Sequence, residues 1–336
     1  MKAVGLYRGL PIADEQSLVE VEVPTPVVGG RDVLVEVRAV SVNPVDYKVR
    51  SSAQTSETPK IIGYDAAGVV AAVGPDVKFF KPGDEVFYAG DITRAGTNSQ
   101  LHLVDERIVG RKPRNLDFAA AAALPLTTLT AWEALYDRLG LTNENARGRS
   151  ILIIGGAGGV GSVAIQLARR LGLDTTATAS RPDSIAWVKT LGAHRVVDHR
   201  KPLAPQLLEA NVDEVDFVLC LTDYAPYFDQ FAGLLKPQGK LCLIVSNSSQ
   251  VNLNALMQKS ITVCWELMFT RPMFQAADMH RQGEILNDAS ALFESGALKG
   301  TLRQNFGPIN AANLRRAHAQ LESGTTIGKI ALEGWG

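Results

Sequence analysis

Residues Ser150–Gly161, reading SILIIGGAGGVG, constrain this chain more than any other stretch. The apolar run Ile151–Ile154 enters a glycine-rich turn, and Gly156-Ala157-Gly158-Gly159-Val160-Gly161 matches G-x-G-x-x-G. Val160, Val163, Ala164, Leu167, Ala168 and Leu171 then follow at helical spacing. Strand, glycine turn and helix in that order form the context in which the motif binds a dinucleotide. On this reading Gly156 allows the tight turn, Gly158 lets the backbone approach a pyrophosphate, and Gly161 lets the helix pack on its strand. The N–H groups of Gly159, Val160 and Gly161, at the positive end of the helix dipole, are expected to hold the phosphates.

The end of the next strand decides which dinucleotide. Leu173–Ala179 is expected to be that strand, and it runs into Ser180-Arg181-Pro182. An NAD site places an Asp or Glu here to accept hydrogen bonds from the adenosine ribose. A hydroxyl and a guanidinium stand here instead. Arg181 offers a planar, permanently charged fork suited to a phosphate, which favours the 2′-phosphate of NADP(H). The alternative is a solvated arginine at a strand end. Val196-Val197-Asp198-His199-Arg200-Lys201 has the form of a third strand followed by cations. His199 either reaches the same phosphate or lies at the surface.

A chain of 336 residues is expected to hold about two domains. Its 34 Lys and Arg nearly balance 35 Asp and Glu, so no basic field points to nucleic acid. The opening residues lack a charged-plus-apolar leader, and a cytoplasmic protein is expected. Ile151–Ala168 is apolar enough to resemble a membrane helix, but its central glycines fit the strand–turn–helix, and no membrane partner is expected. Cys220, Cys242 and Cys264 lie in strand-like runs and are expected to be buried, reduced core thiols.

The pattern changes near residue 125. Before it, Leu18–Val23, Asp32–Val40, Gly68–Val73 and Glu85–Tyr88 are short β segments separated by turn signals such as Gly74-Pro75 and Lys81-Pro82-Gly83-Asp84. They predict a small, irregular β domain. Beyond it, strand candidates near 151, 175, 196, 217, 241 and 261 alternate with helical patterns, the number a doubly wound sheet needs. After about residue 275 a helix over Asp278–Ser295 precedes strand-like Thr301–Ile309 and Ile327–Leu332. Because a sixth parallel strand completes the sheet, this tail is expected to rejoin the first domain.

Several segments together carry a resemblance along almost the whole length. They are Met1-Lys2-Ala3, Asn43-Pro44-Val45-Asp46-Tyr47-Lys48, Gly63-Tyr64-Asp65-Ala66-Ala67-Gly68, Pro82-Gly83-Asp84-Glu85-Val86, Leu129–Leu135, the glycine turn and Gly328-Lys329-Ile330-Ala331-Leu332. The chain resembles a medium-chain dehydrogenase/reductase, in the zinc-type alcohol dehydrogenase-like group related to quinone oxidoreductases. The resemblance implies an α/β fold: a Rossmann doubly wound parallel sheet over 126–274, and a GroES-like, mainly β catalytic domain over 1–125 and 275–336. It also implies a homodimer.

The departures from the zinc enzymes are informative. Zinc-dependent members of this superfamily carry a Cys where Asn43 stands, a His where Tyr64 stands and a Cys shortly before Thr130; this chain has no Cys before residue 220. The four closely spaced Cys of a structural zinc lobe are absent as well. Catalytic zinc takes three protein ligands and keeps one open position. Asn43, Tyr64 and a Leu or Thr near 126 do not supply them, and His102, His194, His199, His280 and His318 show no ligand spacing. No metal is expected.

Without a Lewis acid, oxidation of simple alcohols is disfavoured. Zinc-free relatives move hydride from NADPH to a quinone or to the β-carbon of an enone, acceptors that are already electrophilic. Such chemistry needs position, a hydrogen bond to the developing oxyanion and a proton. The expected function is therefore a zinc-independent, NADPH-dependent reductase of a small electrophile. An NADP-dependent alcohol dehydrogenase or aldehyde reductase, or a non-catalytic NADPH-binding protein, are the alternatives. By resemblance, Asn43 and Tyr47 lie beside the nicotinamide and Thr130 opens onto the cofactor. Ser246, after the fifth strand, either bonds the nicotinamide end or forms a plain turn. Lys329 approaches the cofactor from the returning tail. Tyr47 and Tyr64 are the candidate catalytic residues, donating a proton or shaping a pocket to which water delivers it. Met268 and Phe269 line the substrate pocket or serve as core or interface.

Overall fold

The computed structural model describes residues Met1–Gly336 and divides into two compact units, Met1–Leu129 with Phe269–Gly336, and Thr130–Met268. The chain returns to the first unit at 268/269 rather than 274/275, because Phe269 is already buried against Tyr64 of that unit.

The first unit opens with strands β1 (Lys2–Leu6), β2 (Val19–Glu22), β3 (Asp32–Ser41), β4 (Lys60–Ile61), β5 (Ala66–Val73), β6 (Glu85–Tyr88), β7 (Leu101–Asp105) and β8 (Gly110–Arg111). Helix α1 (Pro44–Ser51) follows β3. Asn43 occupies the N-cap with Pro44 at the first helical position, where its missing N–H costs nothing. Alternation sorts β3: Val33, Val35, Val37 and Val40 enter the core, while Glu36 and Arg38 face solvent.

The second unit is a six-stranded parallel sheet. Its strands are β9 (Ser150–Ile154), β10 (Asp174–Thr178), β11 (Arg195–Val197), β12 (Val215–Cys220), β13 (Leu235–Leu243) and β14 (Thr262–Trp265), in the order β11-β10-β9-β12-β13-β14. Helix α2 (Gly159–Arg170) joins β9 to β10, and α3 (Pro182–Thr190) joins β10 to β11. This is the doubly wound order, with the direction of winding reversing beside β9. Ile151–Ile154 are wholly buried. Each such side chain stabilises the fold by about 1.5–3 kcal/mol, enough to fix the strand from which the glycine turn springs. Cys220 and Cys242 are buried as expected, but Cys264 is only half-buried, because β14 is the outermost strand.

The tail adds α4 (Arg281–Glu294), β15 (Leu302–Asn305), α5 (Ala311–Glu322) and β16 (Lys329–Glu333) to the first unit. Strand β16 pairs antiparallel with β3, Ala331 opposite Ser41 and Leu332 opposite Val40. That register sets Lys329 beside the start of α1. One run, Phe118–Arg138, is long and apolar enough to cross a membrane; 83% of its most apolar window is buried inside the protein.

Candidate active site

In the second unit the turn between β9 and α2 carries the dinucleotide signature. The positive φ falls on Gly155, at +86°, and not on Gly156, so the tight turn begins one residue before the motif. The Gly155 N–H donates to Thr178 Oγ1 at 3.0 Å, which ties the turn to β10. Gly158 is the N-cap of α2, and Gly159, Val160 and Gly161 form its first turn. A Cβ on Gly161 would lie 2.5 Å from the carbonyl oxygens of Gly155 and Gly156, so the helix meets the turn backbone to backbone. Helix starts that follow such a turn are where anions bind in general.

At the carboxyl end of β10 the chain places Ser180 and then Arg181, the N-cap of α3. Strands β10 and β11 are in register, Thr178 opposite Val197, which brings His199 and Arg200 alongside. Arg200 donates to Ser180 O at 2.9 Å and is gripped by both oxygens of Asp198. Burial lowers the His199 imidazole below its usual range, and the Arg200 and Arg181 guanidiniums add to that. Its Nδ1 is buried without a partner. The only carboxylate in the group, Asp198, is committed to Arg200, which holds it down to about 2. Arg181 and Arg200, with Ser180 and His199 beside them, therefore leave this strand end with a net positive charge against the single carboxylate of Asp198. In the sequence Arg200 stands among trailing cations; its place beside Ser180 follows from the β10–β11 register. Ser246 is exposed beyond β13, and Thr130 is buried in the helix Pro125–Trp132.

In the first unit a buried polar network surrounds the start of α1. Lys329 Nζ donates to Val42 O at 2.9 Å, Asn43 Oδ1 at 2.6 Å and Asp65 Oδ2 at 3.0 Å. These three bonds use every donor an ammonium has. Lys329 thus commits its donors to this network and positions Asn43 and Asp65. The Asn43 amide in turn donates to Asp65 Oδ2 at 2.8 Å and Tyr64 O at 3.3 Å. The Leu126 N–H completes the set on Asp65 Oδ1 at 2.8 Å. Burial raises the Asp65 carboxyl, and Lys329, Asn43 and Leu126 oppose it. Asp65, absent from the residues singled out in the sequence, is the hub of this network.

Two polar atoms beside the network lack any partner: Asp46 Oδ1 and Tyr64 Oη. Asp46 accepts from the Asn43 N–H at 2.6 Å through its other oxygen. Burial pushes its carboxyl up to about 7 against the pull of that bond and of Lys329. The Tyr64 ring is buried edge-on against Phe269, with centroids 5.3 Å apart. Burial, then the Asp46 and Asp91 carboxylates, hold its phenol well above the usual range, so it is protonated. Tyr47 is set apart: its half-buried phenol is raised by burial and by Glu322 of α5, and it makes no hydrogen bond to the network. The structure thus groups Asn43, Tyr64, Phe269 and Lys329, and leaves Tyr47 beside α5. Met268 is buried as the last residue of the second unit.

The donor set around Asn43 and Tyr64 does not fit zinc. Asn43 is held by its own network, Tyr64 is a protonated phenol, and position 126 is a leucine. No three His, Cys, Asp or Glu side chains converge into a metal-binding group. Tetrahedral zinc requires three such ligands with one position open.

Comparison with known proteins agrees with this architecture. A family model described as the alcohol dehydrogenase GroES-like domain matches residues 29–113, and one described as zinc-binding dehydrogenase matches 191–332. A zinc-type alcohol dehydrogenase-like protein of Staphylococcus aureus (strain MSSA476) is 39% identical over 334 residues, 99% of each chain. A crystal structure described as a zinc-dependent alcohol dehydrogenase protein from Rhizobium etli CFN 42 is 54% identical, with TM-score 0.96 over 100% of this chain and 98% of that one. Escherichia coli quinone oxidoreductase, solved in complex with NADPH, is 25% identical, with TM-score 0.83 over 99% of this chain and 100% of that one.

Proposed function

The chain belongs to the medium-chain dehydrogenase/reductase superfamily, in its zinc-type alcohol dehydrogenase-like group, and on that premise we propose that it is a zinc-independent NADPH-dependent reductase of quinones or α,β-unsaturated carbonyls. The observation that carries this reading is the buried, protonated Tyr64 hydroxyl with no partner of its own, at a site whose donor set does not fit a metal. It is a hydrogen-bond donor held ready for an oxygen that gains negative charge.

NADPH supplies the hydride when bound. The chain's own residues do the rest. Gly159, Val160 and Gly161 offer N–H groups to the pyrophosphate. Arg181, with Arg200 fixed at its side, neutralises the 2′-phosphate, and an acid-free strand end removes the partner an NAD ribose would seek. The quinone oxidoreductase solved with NADPH supports the same choice. Tyr64 donates to the enolate or phenolate oxygen. Asp46, with its carboxyl near 7, keeps a proton beside that network at neutral pH. Lys329 and Asp65 keep Asn43 and the Tyr64 backbone in place. A quinone is a doubly conjugated enone, so one arrangement serves both acceptors.

The deciding experiment follows NADPH and NADH oxidation with a benzoquinone, a naphthoquinone, a linear enal and a simple aldehyde, with and without chelator. Turnover of NADPH on a quinone or enal, unaffected by chelator, is the expected result. Turnover confined to the aldehyde and lost with chelator would overturn the proposal.

A further inference from the structure

Behind the glycine turn, two helices of the second unit are joined by a hydrogen-bond relay that the reductase reading does not use. Ser162 lies near the start of α2 and is shut off from water. Its N–H and its hydroxyl both donate to the Gly158 carbonyl, at 2.9 and 2.7 Å. Trp187, on α3, donates its indole N–H to Ser162 Oγ at 2.8 Å. An indole N–H can only donate, so Ser162 Oγ accepts there and keeps its one proton for Gly158. Ser184, Trp187, Val188 and Leu191 recur at the spacing of one helix face, and Ser184, Val188 and Leu191 are buried. On that face Ser184 Oγ accepts from the Arg181 N–H at 3.1 Å and donates to the Arg181 carbonyl at 2.9 Å.

We propose, on the NADP(H) reading, that Ser162 and Trp187 are positioning residues for the cofactor's phosphates: Ser162 sets the direction of a pyrophosphate donor, and Trp187 holds the helix that presents Arg181 to the 2′-phosphate. Both act through other groups, Ser162 through the Gly158 peptide and Trp187 through α3.

The role of Ser162 follows from peptide geometry. The Gly158 carbonyl and the Gly159 N–H belong to one planar trans peptide and point in opposite directions. Two bonds draw that carbonyl into α2. The Gly159 N–H is thereby turned outward, among the donors that a helix start leaves unbonded. Glycine, with no Cβ, ranges widely in backbone angle, and the Ser162 hydroxyl supplies the restraint that Gly158 lacks.

The role of Trp187 follows from the reach of α3. Trp187 lies six residues beyond Arg181, about 9 Å along the helix. Ser184 fixes the Arg181 backbone to α3, and the indole fixes α3 to α2. Apolar burial is non-directional and lets one helix slide along another. An N–H···O bond of 2.8 Å is directional and fixes the axial position of α3. The distance from the glycine turn to the Arg181 guanidinium is therefore governed by one indole–hydroxyl contact.

The test measures NADPH and NADH binding by calorimetry on the full-length protein, Trp187→Phe, Ser162→Ala, the two combined, and Arg181→Ala. Trp187→Phe keeps a ring and the Ser162–Gly158 bond and loses only the tie between helices. It should weaken NADPH by about threefold to tenfold, the scale of one hydrogen bond, and NADH by less than about twofold. Ser162→Ala also loses the anchor on Gly158, so both cofactors should weaken, NADPH the more. The double variant should match Ser162→Ala for NADPH within about twofold, because both substitutions remove the same bond. A tie that serves only stability would lower the urea midpoint of Trp187→Phe and leave its NADPH-to-NADH affinity ratio as in wild type. That result would overturn the proposal, as would losses that multiply in the double variant. Arg181→Ala separates the two levels. A collapsed ratio there beside a wild-type ratio in Trp187→Phe removes Trp187 alone, whereas an unchanged ratio in Arg181→Ala overturns the NADP(H) reading and the role of Trp187 with it.

Discussion

Lys329 Nζ stands 3.0 Å from Asp65 Oδ2, and both side chains are almost wholly withdrawn from water. Removing one member of such a pair leaves a buried charge unmatched, at a cost of about 3–5 kcal/mol. Lys329→Met should therefore lower the unfolding free energy by about that amount in urea titration. Since Lys329 commits its donors to this network, the affinity of surviving folded protein for NADPH should stay within about twofold of wild type. A large loss of NADPH affinity with stability unchanged would reverse the assignment of Lys329 as a positioning residue.

Tyr64→Phe removes only the hydroxyl and keeps the ring against Phe269. The variant should fold like wild type, bind NADPH normally and lose roughly 100-fold in kcat on quinones and enals, the usual scale for one oxyanion donor. Steady-state kinetics decides it; an unchanged kcat would give proton delivery to water. Tyr47→Phe, which alters a phenol beside Glu322 and outside the network, should change kcat by less than about threefold.

Arg181→Ala should weaken NADPH far more than NADH, by about tenfold to a hundredfold, because a charge-assisted contact to phosphate is worth about 1.5–3 kcal/mol. Binding titrations with both cofactors read this directly. Equal losses for the two would remove the 2′-phosphate from the proposal.

Asp46 gives a pH signature. Its carboxyl is raised by burial from 3.8 to about 7, so between those values the folded chain holds a proton that the unfolded chain releases. Stability then falls as pH rises through that window, and the whole penalty is present above about 7. Asp46→Asn keeps an acceptor for the Asn43 N–H and abolishes the titration. The difference in unfolding free energy, variant minus wild type, should grow from pH 4 to pH 7 and level off above it. A difference that is flat with pH would mean that Asp46 is ionised in the fold.

Local signals were the legible ones. The strand–turn–helix around Gly156–Gly161, six alternating strands and the acid-free end of β10 all lie within short windows, where hydrophobic period and turn chemistry operate. Long-range contacts were not. Lys329 finds Asn43 across 286 residues, and no periodicity announces that its three donors are all used there. Arg200 depends on the register of β10 with β11, and Cys264 is half-buried on β14, the outermost strand of its sheet. Gly155 carries no motif signal of its own because Gly156 satisfies the pattern, although the left-handed backbone falls one residue earlier.

The placement of Lys329 also sets a timetable for biosynthesis. Asp65 leaves the ribosome 264 residues before the cation that neutralises it. At about 5–20 residues per second, the gap is roughly a quarter of a minute to a minute. During it the whole parallel sheet of the second unit is translated, while the earlier strands wait without β16 on the β3 edge. The later-made unit is thus free to fold first, and the first unit closes around its charge pair only after the interruption has passed.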